Sequence, residues 1–316
     1  MELILGLQQK RKTIINLSIE MWDKKGNIFR DHHSQLPVVD ESNRNFYTIF
    51  YSTRDEEGRS IPMYINFSKK NLERLSHPKE IGLELGKIGS FDHYGVMPTD
   101  IVSLNKNIKY LYYIGWSLRK DVPYHNTLGL AVSQDAGKTW KKYSDGPIFS
   151  TSYREPGFIG TAKVIKDGKK WKMYYLSCRE WIKNKEKIEP IYDIKIALSK
   201  DGIQWDPTNE VAVPLLEDEG GISSFQSFGN KAWFSVRGKN NYRDSKGESY
   251  KIKTSTLVRE KWVRDDGIDL DVSEEGWDSE MVAYPYIVKE KNKLILFYNG
   301  NGFGETGIGY ATQETT

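Results

Sequence analysis

The chain has 316 residues with 46 basic and 43 acidic side chains, a net charge of +3. A balance this even is no electrostatic footprint for nucleic acid or an anionic membrane, and no apolar run approaches the ~20 residues of a membrane helix. A lone cysteine, Cys178, excludes an intrachain disulfide. Residues 3–7 are too short for the apolar region of a secretory signal, so a cytoplasmic protein is expected.

Nine Trp, 19 Tyr, 12 Phe and 27 Gly suit many short strands joined by tight turns. In chain order, a first strand begins near Pro37, Pro98, Ala162, Ser224 and Pro285. An aromatic second strand follows at residues 45–51, 109–114, 171–176, 231–236 and 293–298. A third follows a longer loop, at 63–67, 128–132, 194–198, 250–254 and 307–310. Tyr51, Tyr113 and Tyr175 end their second strands at 62-residue steps. Tyr298 comes 123 residues later, with Phe234-Ser235-Val236 near the middle of that gap. This period predicts an all-β fold: a five-bladed β-propeller with four-stranded antiparallel blades, a single domain over residues 1–316. The carboxyl end stops after a third strand, so an N-terminal strand, at residues 3–7 or 13–17, is expected to close the ring.

Residues 133–140 fit the Asp-box pattern S-x-D-x-G-x-T-W, and residues 199–205 are a shortened copy. Their carboxylates are expected to close hairpin turns, with the tryptophans packed between blades. Counting 17 to 20 residues back from the second-strand anchors reaches His32, His93, Glu155, Glu219 and Glu280, with Asp31, Asp92 and Asp278 close by. Carboxylates crowded at a funnel suit glycosidic cleavage, because crowding drives their pKa values apart into acid and base. Glu155 and Glu280 are the expected acid and base pair, with Asp92 and Glu219 tuning or substituting. His32 and His93 would position substrate or help bind a divalent metal at the central ring. Arginines recur in the second-to-third-strand loops (Arg54, Arg119, Arg179, Arg237, Arg243), and Arg154 precedes Glu155. Their forks suit a carboxylate or phosphate, with Arg154 and Arg237 the expected clamps. Trp116, Trp181, Tyr242 and Phe303 are placed to stack on sugar rings, and Asn299 and Asn301 to bond hydroxyls.

The whole-chain organisation, with segments such as residues 91–98, 133–140, 154–156, 276–281 and 296–304, resembles glycoside hydrolase families 43, 32 and 130. In families 43 and 32 an acidic residue opens blade one; here His32 holds the inferred position, with Asp31 beside it. The resemblance implies a carbohydrate-active enzyme. It would hydrolyse or phosphorolyse a glycosidic bond on an anionic sugar or glycoconjugate precursor, with a carbohydrate or sugar nucleotide as its small-molecule partner. The resemblance to uncharacterised members of this group further suggests polysaccharide biosynthesis. The alternatives are a metal-dependent sugar-modifying enzyme and a non-catalytic glycan-binding propeller.

Overall fold

A computed structural model describes residues 22–184, 187–240 and 247–315. Among these residues the fold is all-β apart from one helical turn, Asn301–Gly304. The strands fall into antiparallel meanders of four. The first meander comprises Gln35–Asp40, Phe46–Arg54, Ser60–Ser68 and Lys79–Glu80, and the second Gly95–Ser103, Lys109–Leu118, Tyr124–Ser133 and Lys141–Lys142. The third comprises Ile159–Asp167, Lys170–Asn184, Lys187–Ser199 and Asp206–Val213, and the fourth Glu219–Phe228, Lys231–Gly238, Lys251–Val258 and Lys261–Arg264. The fifth is Ala283–Glu290, Lys293–Asn299 and Ile308–Glu314.

The outer strand of the fifth meander comes from the other end of the chain: Asp23–Phe29 runs antiparallel to Ile308–Glu314. The closing segments expected at residues 3–7 and 13–17 lie outside the described residues. A single parallel bridge joins the first and second meanders at Ser60 and Gly95, and another joins the third and fourth at Tyr192 and Gly221. Two-residue loops turn the inner hairpins of the third, fourth and fifth meanders. Gly168 and Gly229 open two of them with φ of 57° and 60°, the left-handed geometry that tight hairpins need.

Each inner strand touches the next, and that of the fifth meander touches that of the first. Side chains stitch this circle by accepting backbone N–H groups that no strand neighbour satisfies. Thr99 Oγ1 accepts from Ala162 (2.9 Å), Thr161 Oγ1 from Ser224 (2.8 Å), Ser235 Oγ from Tyr284 (2.7 Å) and Asn299 Oδ1 from Leu36 (2.9 Å). Buried polar groups need such partners, and this is where inner-edge donors find them.

Between meanders lie the aromatic cores. The Asp-box turn at residues 133–140 is closed by Asp135, whose Oδ1 accepts the N–H groups of Lys138 and Thr139. Hydrogen bonds from the Thr139 hydroxyl and backbone hold this carboxyl at about 2. Trp140 then packs edge-on against Phe50 of the first meander, ring centres 5.8 Å apart. In the shortened copy Asp201 accepts from Ile203 and Gln204, and Trp205 meets Tyr112.

Candidate functional site at the hub

Every inner strand carries a β-bulge near its start. The register shifts fall between Gln35 and Val38, Pro98 and Asp100, Ile159 and Ala162, Ser223 and Gln226, and Ala283 and Tyr286. Leu36, Ser224 and Tyr284 sit at three of these bulges with φ of 59°, 52° and 57°, a conformation non-glycine residues rarely adopt. Bulges bend a strand and re-aim its side chains. Here the bulged ends converge on one cavity of about 270 Å³, lined from all five meanders, with Gln35, Met97, Thr161, Ser223 and Tyr284 among the inner-strand contributors. Aromatic rings form much of the wall: Trp116, Tyr124, Phe158, Tyr192, Tyr250 and Phe303. Gly95 and Gly221 make room for two of them. A Cβ at Gly95 would lie 1.9 Å from the Trp116 ring nitrogen, and one at Gly221 would lie 2.3 Å from the Tyr192 ring.

The polar centre of the cavity is Arg54. Its Nη1 donates to Ser60 Oγ (2.6 Å) and the Gly58 carbonyl (3.2 Å), and its Nη2 to Gln35 Oε1 (3.0 Å). The guanidinium lies 5.2 Å from the centre of the Trp116 ring, and Trp116 Nε1 donates to the same Ser60 hydroxyl. Gln35 Nε2 in turn stands 3.5 Å from the Tyr284 hydroxyl. Arg54 forms no ion pair with a carboxylate among the described residues, and burial lowers the pKa of its guanidinium. His33 lines the cavity beside it. Burial first, and the Arg54 charge second, hold its imidazole below the usual histidine value, which favours the uncharged form. Outward, His33 and Arg54 also line the mouth, together with Arg30, Asp31, His32, Asp55, Glu56 and Glu305.

None of the expected catalytic carboxylates lines this cavity. Asp92, Glu155, Glu219 and Asp278 are buried in a repeated latch. Tyr113, Tyr175 and Tyr298 donate their hydroxyls to Asp92 (3.2 Å), Glu155 (2.9 Å) and Asp278 (2.9 Å). A lysine completes each: Lys142 on Asp92 (2.6 Å), Lys195 on Glu155 (2.9 Å), Lys24 on Asp278 (2.9 Å). Glu155 also accepts from Ser177. In the fourth meander Val236 replaces the tyrosine, and Glu219 is held instead by Lys253 (2.9 Å) and Arg264 (2.7 Å). Burial alone would raise the Glu219 carboxyl; the Arg264 and Lys253 hydrogen bonds outweigh it and leave it below the usual range. Asp31, 3.3 Å from the Tyr51 hydroxyl, is the counterpart in the first meander and has no lysine among the described residues. Replacing Tyr298 by phenylalanine is expected to cost about 1–3 kcal/mol, the price of a buried hydrogen bond to a charged group. Chemical denaturation monitored by tryptophan fluorescence measures it.

The remaining expected residues are scattered. Glu280 is exposed, and its backbone N–H is bound by Asn301 Oδ1, which also accepts from Met281. Asn301 thus caps this loop, and Asn299, fully buried, spends its amide on Leu36 and Ser34, so neither is presented to a sugar as expected. Arg154 is exposed and paired with Asp206. Arg237, 1% exposed, lies over the Tyr192 ring and donates to its hydroxyl (3.0 Å) and to the Pro190 carbonyl, bracing the cavity wall from behind. His32 stands at the mouth, whereas His93 lines a separate cavity with His125 and Arg119. The two histidines therefore do not combine into a metal site, and among the described residues no three His, Cys, Asp or Glu are grouped to hold an ion. Cys178 is buried, and burial pushes its thiol up to about 11. Tyr242 and Arg243 lie outside the described residues. Among the expected binding residues, Arg54, Trp116 and Phe303 form part of the hub wall. His33, Gln35 and Tyr284 escaped the sequence reading, which counted back to His32 and treated the inner strands as regular.

No family model matches the chain. Solved structures resemble it over nearly its whole length. One described as "Glycoside hydrolase" aligns over 94% of this chain and 93% of its own at a TM-score of 0.66 and 18% identity. A structure from the GH130 family of mannoside phosphorylases and glycoside hydrolases covers 95% of both chains, at a TM-score of 0.66 and 13% identity. The GH32 β-fructofuranosidase of Bombyx mori aligns over 90% of this chain and 62% of its own, at a TM-score of 0.59 and 16% identity. The fold is thus that of the glycoside hydrolase propeller group, and the resemblance to families 32 and 130 is borne out. By sequence the chain belongs to the family of two Mycobacterium tuberculosis proteins. Uncharacterized protein Rv1502 is 31% identical over 318 residues, and Uncharacterized protein MT1551 is 30% identical over 311; both alignments cover 93% of this chain and 99% of the relative.

Proposed function

We propose that the meanders form one five-bladed β-propeller domain, and that its hub cavity is the site of a carbohydrate-active enzyme cleaving a glycosidic bond next to an anionic sugar. One observation carries this reading: a half-buried guanidinium, unpaired with any carboxylate among the described residues, in a cavity walled by aromatic rings. An unpaired buried charge is costly, and an arriving anion removes that cost. Flat aromatic faces with a few fixed polar groups suit a sugar ring. A carboxylate sugar matches the fork of Arg54 best, and Gln35 and Tyr284 extend the polar edge beside it. In this reading Asp92, Glu155 and Glu219 hold the blades rather than substrate, and Glu280 stands outside the site.

Titration calorimetry with glucuronate, galacturonate, glucose 1-phosphate and the neutral parent sugars tests the binding half. An anionic member should bind and its neutral parent should not. Equal affinity for both, or no binding by any, would defeat the reading.

A further inference from the structure

Two-carboxylate hydrolysis requires one protonated and one ionised carboxyl group flanking the scissile bond. The hub cavity offers neither; its titratable side chains are His33, Arg54 and four tyrosines, Tyr124, Tyr192, Tyr250 and Tyr284. That set suits a different way of breaking a glycosidic bond. A uronic acid carries a carboxylate at C5, and the hydrogen on C5 becomes acidic once that carboxylate is neutralised. Arg54 and Gln35, already hydrogen-bonded to one another at 3.0 Å, form one polar edge for the carboxylate. His33 sits beside Arg54 on the same wall, and its imidazole makes no side-chain hydrogen bond among the described residues. A neutral imidazole at neutral pH is a general base.

We propose that the hub cavity cleaves uronic-acid-containing glycans by β-elimination, with His33 as the base and Arg54 and Gln35 as the carboxylate clamp. This rests on the anionic-sugar reading above and adds the reaction. The C5–H bond breaks and its proton passes to His33. The electron pair forms the C4–C5 double bond, the C4–O bond breaks, and its electrons leave on the glycosidic oxygen. That oxygen takes a proton from the Tyr284 hydroxyl, which borders Gln35. His33 returns its proton to Tyr284 through solvent. The products are an unsaturated uronate and a free hydroxyl, with no water, metal or oxidant consumed. A base positioned in this way contributes about 10²–10⁴-fold.

The test incubates the full chain with 4-linked oligogalacturonate and 4-linked oligoglucuronate in water enriched in heavy oxygen. Ultraviolet absorbance of the conjugated product and its mass are followed. Elimination predicts an absorbing product that carries no solvent oxygen. His33→Gln should retain uronate binding by calorimetry and lose turnover at least about 100-fold. Exchange of the C5 hydrogen in deuterated solvent gives a second readout that does not need the leaving group to depart. Cleavage with solvent oxygen incorporated, or dependent on added phosphate, overturns elimination while leaving the anionic-sugar site intact. Binding with neither cleavage nor C5 exchange also overturns it. Absence of uronate binding overturns the underlying reading as well.

Discussion

Arg54→Met is expected to weaken binding of an anionic sugar by about 2–5 kcal/mol, which is tens- to thousands-fold, without a comparable loss of stability. The two effects separate because of where the charge sits. The guanidinium is mostly removed from water, yet its partners are neutral: Ser60, Gln35 and a backbone carbonyl. Binding an anion there forms a charge-assisted contact in a cavity with little solvent to screen it. In the free protein the same charge is a desolvation cost, so methionine of similar length removes a liability along with three hydrogen bonds. A residue that served only the fold would show the reverse, with lost stability and unchanged affinity per folded molecule. Calorimetry and denaturant unfolding of the same preparation measure both quantities. A fall in stability with affinity unchanged would remove Arg54 from the site.

Glu219→Ala is expected to behave in the opposite way, costing about 3–5 kcal/mol of stability while folded molecules keep their affinity. The carboxylate holds Lys253 and Arg264 at once and also accepts the Leu216 N–H at 3.1 Å. Removing it leaves two cations facing each other in a largely enclosed space. The pH dependence carries a sign that checks the cause. Because the folded carboxyl lies below its unfolded value of about 4.3, its contribution is complete at neutral pH. That contribution fades as the pH falls through the lower folded value. The wild-type advantage over Glu219→Ala should therefore shrink on acidification. Loss of turnover in a variant that stays folded would instead return Glu219 to a catalytic role.

The contrast between these two residues follows how far each was legible in the chain. Strand order, the 62-residue period, the Asp-box turns and the aromatic anchors are local features. They arise within single hairpins, where short loops bring near neighbours together, so they stand out in the linear pattern. Even the level of the charged ring was readable. Asp31, Asp92, Glu155 and Asp278 all lie 20 or 21 residues before the tyrosine they bond. What each charge faces was not. The chain bends at Asp31 and His32 before the inner strand begins, so counting to His32 instead of His33 exchanges the cavity mouth for the cavity wall. A bulge at the start of every inner strand adds further slips that no alternation pattern records.

Partners are hidden more deeply still. The latch lysines stand 50, 40, 34 and 254 residues from their carboxylates, on third strands in two meanders and on outer strands in the other two. No period links them, so whether a carboxylate is free for chemistry or neutralised by a lysine depends on contacts made only when the strands assemble. The linear pattern therefore specified the repeat and the turns, which are enforced by neighbours. Folding assigned the partners, setting each acidic residue to brace its own meander and leaving Arg54 and His33 on the hub cavity, because distant pairing and bulge geometry settle which charges remain unpaired.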